Sequence, residues 1–195
     1  MPNSRLKNIL TSAGWFSVLS LLPKVIVIAK DSAVAYYFGA SANLDTYLMA
    51  FVLIGTPASI IIIALHTTLV PALTGRDEKS FAGLLGSVLM LASVCLAALL
   101  PLWLHAIPKI LNFVYPDKSE ENLSSLNSAC FWLIPYYFFS GINILLDGAL
   151  QARKIFWPNA IFSGFFPASI LAILLLWGTS DIRILLIGTI LGSLF

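Results

Sequence analysis

Three ionisable residues stand inside an otherwise apolar run near the start of the chain. They are Lys24, Lys30 and Asp31, in Leu21-Leu22-Pro23-Lys24-Val25-Ile26-Val27-Ile28-Ala29-Lys30-Asp31. A lysine at the centre of a membrane helix costs about 2.5–3.5 kcal/mol on insertion scales. Lys24 falls near the middle of its run, so the sequence predicts that it faces a partner or a wet cavity rather than lipid. The chemistry available to it is electrostatic: a cationic lining that holds an anion such as a phosphate. The structural alternatives are an ion pair with another helix, or a stem that snorkels to an interface. Lys24 and Asp31 are seven residues apart, which puts them on one helix face about two turns from each other, too far for a direct pair. Lys30 points elsewhere on that helix. Pro23 breaks the backbone ladder just before Lys24 and favours a kink.

Three further residues could line or gate a cavity. Asp45 starts the second apolar run, where an N-cap role would account for it. Asp147 ends the fourth, just before Arg153 and Lys154, where a cap or local pair would do so. His66 lies within an apolar run and His105 near the end of one; packing or an interfacial position is the simpler reading of both. Cys95 and Cys130 sit in apolar stretches with no CxxC or Cys/His cluster, so they read as packing residues rather than a disulfide or metal site. No nucleophile elbow, P-loop, HExxH or paired-carboxylate motif is present, and neither an enzyme nor a cofactor is expected.

The elements that position these residues are membrane helices. Hydrophobic residues make up 59% of the chain and charged residues 10%, and mean hydropathy is +0.93. A soluble domain carries about 25% charged residues, so this chain lacks the charge to cover a wet surface. A net charge of +2 gives no reason to expect a nucleic-acid partner. No Asp, Glu, Lys or Arg falls between Asp45 and Arg76, Lys79 and Lys109, Glu121 and Asp147, or Lys154 and Asp181. Each gap exceeds the ~20 residues a helix needs to cross the hydrocarbon core. Continuous runs of this length exclude barrel strands. The expectation is all-α: one transmembrane domain over 1–195, a polytopic bundle of about six spans near 13–39, 46–75, 80–107, 124–150, 158–178 and 182–195, the last cut short. Arg5 and Lys7 precede the first run, but Lys24 and Lys30 interrupt it, so it reads as a retained helix rather than a cleaved signal.

Connections are short and polar, with the longest expected from about Lys109 to Ser125. Six basic residues fall on one side (Arg5, Lys7, Arg76, Lys79, Arg153, Lys154) and three on the other (Lys109, Lys118, Arg183). That asymmetry puts the N-terminus in the cytoplasm. Trp15 and Trp157 then lie near inner ends, and Trp103, Trp132 and Trp177 near outer ends, as an aromatic belt requires. Pro57, Pro71, Pro101, Pro135 and Pro167 within or near spans fit broken, moving helices. Gly188 and Gly192 form a GxxxG-like pair suited to helix packing.

The stretch A-Y-Y-F-G-A-S-A-N-L-D-T-Y-L-M-A-F (Ala35–Phe51), followed by A-L-H-T-T-L-V-P (Ala64–Pro71), resembles the MurJ/MviN family of lipid II flippases, members of the multidrug/oligosaccharidyl-lipid/polysaccharide exporter superfamily. L-L-P-K-V-I-V-I-A-K-D resembles the family's first helix, and L-Q-A-R-K-I-F-W-P (Leu150–Pro158) its fourth-to-fifth turn. The resemblance implies the N-terminal lobe of a larger two-lobed, alternating-access transporter in a bacterial inner membrane, completed by a C-terminal lobe. It implies membrane lipids and a polyprenyl-pyrophosphate-linked saccharide, lipid II or a relative, as partners. It assigns substrate contact to Lys24, Lys30 and Asp31, and matches Asp45 to the family's acid at the start of helix two. Two departures accompany it. Lysines stand where the family uses arginines, and Pro57–Ile63 carries no charge where the family has arginines and a glutamate. A cation-coupled drug exporter of the same superfamily and a non-transport scaffold are the alternatives.

Overall fold

The computed structural model describes residues 21–114 and 120–194, apart from the side chains of Pro57, Ala58 and Leu104. The expectations placed on Arg5, Lys7, Trp15 and Lys118 lie outside these residues. Within them the chain is helical throughout. Helix α1 covers 21–38, and Gly39 then takes a left-handed φ of 53° that only glycine adopts at little cost. Helix α2 spans Ala42–Leu73, α3 Glu78–Val114 and α4 Glu120–Ala152; α5 (Trp157–Phe162) and α6 (Phe165–Trp177) follow, and α7 is Ile182–Ser193.

Among the described residues three stretches are long and apolar enough to cross a bilayer: Glu78–Trp103, Glu120–Ala152 and Trp157–Trp177, the last made of α5 and α6 together. Helix α2 is a fourth if its halves count as one span. It bends by 45° between Ala42–Thr56 and Ser59–Leu73, where Pro57 withholds an amide N–H from the helix ladder. The described part of α1 carries three charges and α7 has 12 residues, so neither meets that test.

The expected loop from Lys109 to Ser125 is mostly helix. Helix α3 continues to Val114 and α4 already begins at Glu120. The cause is visible in Ile107 and Leu111, one turn apart and both buried, and in Leu126, buried against the same core. The segment has an apolar face to dock, which holds it in helical form past Pro108.

Helices α2 and α4 form the central pair. Tyr47, Ala50 and Ile54 of α2 meet Ala129, Cys130 and Leu133 of α4, with Phe38 of α1, Ile170 and Leu174 of α6 and Leu185 of α7 completing one core. Toward the other end, Leu69 and Leu73 of α2 pack with Ala92 of α3 and with Leu145 and Ala149 of α4. In lipid such packing stabilises by close van der Waals fit, and small residues let backbones approach. The glycine pair of α7 does this against α6: a Cβ on Gly188 would meet the Ile170 Cα at 2.9 Å, and one on Gly192 the Phe166 Cα at 2.8 Å. Hydrogen bonds support the contacts. The Ser169 hydroxyl donates to the Gly188 carbonyl at 2.7 Å, and the Tyr47 and Thr189 hydroxyls share a buried bond of 2.8 Å. Cys95 and Cys130 are free thiols.

Candidate functional site

The α5–α6 segment is interrupted at Ser163 and Gly164, and α1 lies against that interruption. A Cβ on Gly164 would sit 3.5 Å from both the Pro23 Cα and the Ile26 Cδ1. Pro158 occupies the first turn of α5, where its missing N–H costs nothing. This arrangement sets the start of α5 beside the last turns of α4 and leaves two adjoining hollows.

The first hollow, of about 440 Å³, is lined by Pro23, Lys24 and Val27 of α1, Gln151 of α4, and Phe156, Asn159, Ala160 and Ser163. Its lining contains one cation and no carboxylate. Lys24 is exposed and has no ion pair among the described residues. Lys24 shares this lining with Gln151 in the final turn of α4 and with Asn159 and Ser163 of the α5–α6 segment.

The second hollow, of about 480 Å³, lies between α4, α5, α6 and the end of α7. Asn159 and Ser163 line both hollows. The α4 wall presents Tyr136, Ser140, Asn143 and Asp147, spaced four, three and four residues apart and so on one helix face, which Gln151 extends by one turn. Asp147 neither caps α4 nor pairs with Arg153 or Lys154. Its Oδ2 accepts from the Gln151 Nε2 at 2.6 Å. Arg153 instead bridges to Glu78 at 2.9 Å and stacks over the Phe81 ring at 4.1 Å. The Asn143 amide donates to the Ser193 carbonyl at 2.9 Å, tying α4 to α7.

The remaining sequence candidates lie apart from the hollows. Lys30 and Asp31, neighbours in sequence, bridge at 2.7 Å, with the Asp31 side chain mostly exposed. Asp45 is exposed in the first turn of α2, but the N-cap is Ser41, whose Oγ accepts from the Leu44 amide at 3.4 Å. Ser41 has the extended backbone a cap needs, and Asp45 adds a negative charge at the positive end of the helix dipole. His66 packs against α4, where a Cβ on Gly148 would lie 2.9 Å from its Cδ2. His105 is exposed, with Nδ1 3.1 Å from the Pro101 carbonyl. Sequence reasoning passed over Ser140, Asn143, Gln151, Asn159 and Ser163. The signal for the first three was a polar residue every three or four positions in an apolar span, with Asp147 among them.

Apolar helices of spanning length around a cleft with one cation in its lining fit a membrane transporter. A family model described as lipid II flippase MurJ matches residues 34–195, and the chain belongs to that family. Its members are membrane transporters of peptidoglycan biosynthesis that flip a lipid-linked substrate. The match begins just after Lys24, Lys30 and Asp31. No curated protein and no solved structure matches the chain.

Proposed function

We propose that the chain forms the N-terminal lobe of a flippase for a polyprenyl-pyrophosphate-linked cell-envelope saccharide, lipid II or a close relative. Lys24 receives the pyrophosphate from the cytoplasmic side, and the C-terminal lobe closes the pathway. The observation that supports this reading is the first hollow itself: Lys24, with no ion pair among the described residues, shares its lining with Asn159 and Ser163 and with no acid. An ammonium holds phosphate as a point charge without the two-pronged fit of a guanidinium, so arginine should substitute well. A cation-coupled exporter needs a buried, available acid near the first helix, and Asp31 is exposed and paired with Lys30. The test is complementation of a strain depleted of its lipid II flippase by the full-length gene. Wild type and Lys24→Arg should restore growth and Lys24→Ala should not, at equal membrane insertion. Failure of the wild-type gene would remove lipid II as the substrate, and full rescue by Lys24→Ala would remove the lysine's role.

A further inference from the structure

The two halves of α2 are held to the bundle in different ways. The first half, Ala42–Thr56, is tied to other elements by three hydrogen bonds. The Asn43 amide donates to the Ser180 carbonyl at 3.0 Å, the Tyr47 and Thr189 hydroxyls share a buried bond, and the Tyr137 hydroxyl of α4 donates to the Phe51 carbonyl at 3.2 Å. Gly55 leaves the notch that the Tyr137 phenol fills: a Cβ there would collide with the hydroxyl and lie 3.1 Å from the ring Cζ. The second half, Ser59–Leu73, makes no hydrogen bond to another helix among the described residues. The hydroxyls of Ser59, Thr67 and Thr68 all donate to carbonyls of α2 itself. This half meets α4 by packing over glycines. Ile62 seats over Gly141 and His66 over Gly148, where an added Cβ would lie 2.9 Å from the Ile62 Cδ1 and from the His66 Cδ2. Gly141 and Gly148 are seven residues apart, on one face of α4. Across the break the intercalation therefore reverses: above it α4 inserts a side chain into α2, and below it α2 lays side chains on a smooth track of α4.

We propose that Ser59–Leu73 is a swinging arm, which pivots at Pro57 on a first half pinned by Tyr137 and lifts from the Gly141–Gly148 face of α4 when α2 straightens. Gly55 faces α4, and Pro57, two residues on, falls about 200° round the helix from it, on the side away from α4. A proline crowds the carbonyl four residues back and opens a helix on its own side, so the 45° break tilts the arm toward α4. Hydroxyls serve the backbone beside the break: Thr56 Oγ1 donates to the Val52 carbonyl at 2.9 Å and Ser59 Oγ to the Thr56 carbonyl at 2.8 Å. Carbonyls there keep donors while the ladder is interrupted. Lifting the arm gives up apolar contacts that lipid tails replace in large part, which is the condition for a populated second position. The far end of the arm, Leu69 and Leu73, packs on Leu145, Ala149 and Ala152, in the last two turns of α4 that also supply Gln151 to the Lys24 hollow. Its movement reshapes that end of the bundle while the first half stays in place. The inference rests on the chain being a membrane transporter, and not on its substrate or on the role of Lys24.

The test measures distances between spin labels on the full-length protein in lipid nanodiscs, with the labels on keto amino acids so that Cys95 and Cys130 stay untouched. One pair spans the break, at the exposed positions Leu48 and Ala72. A control pair, at the exposed Phe131 and Leu146, lies on α4, which contains Pro135 and is a single helix. The Leu48–Ala72 pair should show two separations, the longer by about 3 Å, the gain from straightening a 45° break at ~1.5 Å per residue. The α4 pair should show one. Pro57→Ala restores the missing backbone donor and should leave only the longer separation. Gly148→Ala crowds His66 and should raise the longer component at least threefold, which keeps the test usable if the Pro57 variant fails to fold. A single Leu48–Ala72 separation in the wild type, or a distribution that Gly148→Ala leaves unchanged, overturns the arm. If these distances behave as expected while Lys24→Ala fully rescues growth, the pyrophosphate role of Lys24 fails and the arm stands.

Discussion

The Gln151 amide reaches back one turn along α4 and donates to the Asp147 carboxylate at 2.6 Å. The bond joins the two hollows, since Gln151 lines the first and Asp147 the second. A hydrogen bond to a charged group contributes about 1.5–3 kcal/mol, and less where water reaches the site. Gln151→Ala should therefore lower stability by about 1 kcal/mol, read as a drop in the melting temperature of the full-length protein, whereas Gln151→Glu, which sets two carboxylates one turn apart, should lower it further.

The glycines of α7 and α3 should respond in opposite directions to the same substitution. Gly188→Ala puts a methyl 2.9 Å from the backbone of α6, and overpacking of this kind costs about 1–3 kcal/mol. Gly86→Ala, inside α3 with open space around its Cβ position, should be neutral or stabilise by up to about 1 kcal/mol through helix propensity. Thermal melts of the two variants check this, and equal shifts would contradict the packing described for α6 and α7.

Tyr47→Phe removes one partner of the buried Tyr47–Thr189 bond and leaves the Thr189 hydroxyl, which is fully buried, to find another. The expected loss is about 0.5–1.5 kcal/mol. Adding Thr189→Val to Tyr47→Phe should recover part of it, because no unpaired hydroxyl then remains. A double-mutant cycle measures the coupling.

At the α2–α3 turn, the Asp77 carboxylate accepts from the Ser80 amide at 3.2 Å, and the Ser80 hydroxyl and amide hold its pKa below the usual carboxylate range. A lowered native pKa means that this cap is in place above the ordinary aspartate pKa and is lost as pH falls through the native value. Protection of the Ser80 and Phe81 amides, taken relative to the intrinsic exchange rate at each pH, should therefore fall at acid pH in the wild type, and Asp77→Ala should show the lowered protection already at neutral pH.

Much of the fold was legible because it follows from charge spacing alone. The runs free of charge between Asp45 and Arg76 and between Glu121 and Asp147 lie within helices, and the GxxxG spacing of Gly188 and Gly192 marks a close helix contact. The extension of α3 past Lys109 was not legible. It depends on Ile107 and Leu111 finding a core supplied by distant helices, which local composition does not encode. At the site, Lys24 stood out because a charge in an apolar run is conspicuous. Asn159 and Ser163 did not, because their importance comes from the break at Gly164 and from α1 lying across it. Asp45 shows the reverse case: its position near a helix start was read correctly, but the neighbouring Ser41 has the geometry of the cap.

The bridge between Lys30 and Asp31 joins neighbours on a single helix, so it persists however α1 tilts against the rest of the bundle. Moving a paired cation and anion together through an electric field requires no net work, whereas one elementary charge exchanges about 2.3 kcal/mol per 100 mV of membrane potential. In the described part of α1, Lys24 is the charge left unbalanced. On the proposed reading, the voltage response of the described part of α1 is set by Lys24 and is partly cancelled when an anionic head group settles against it.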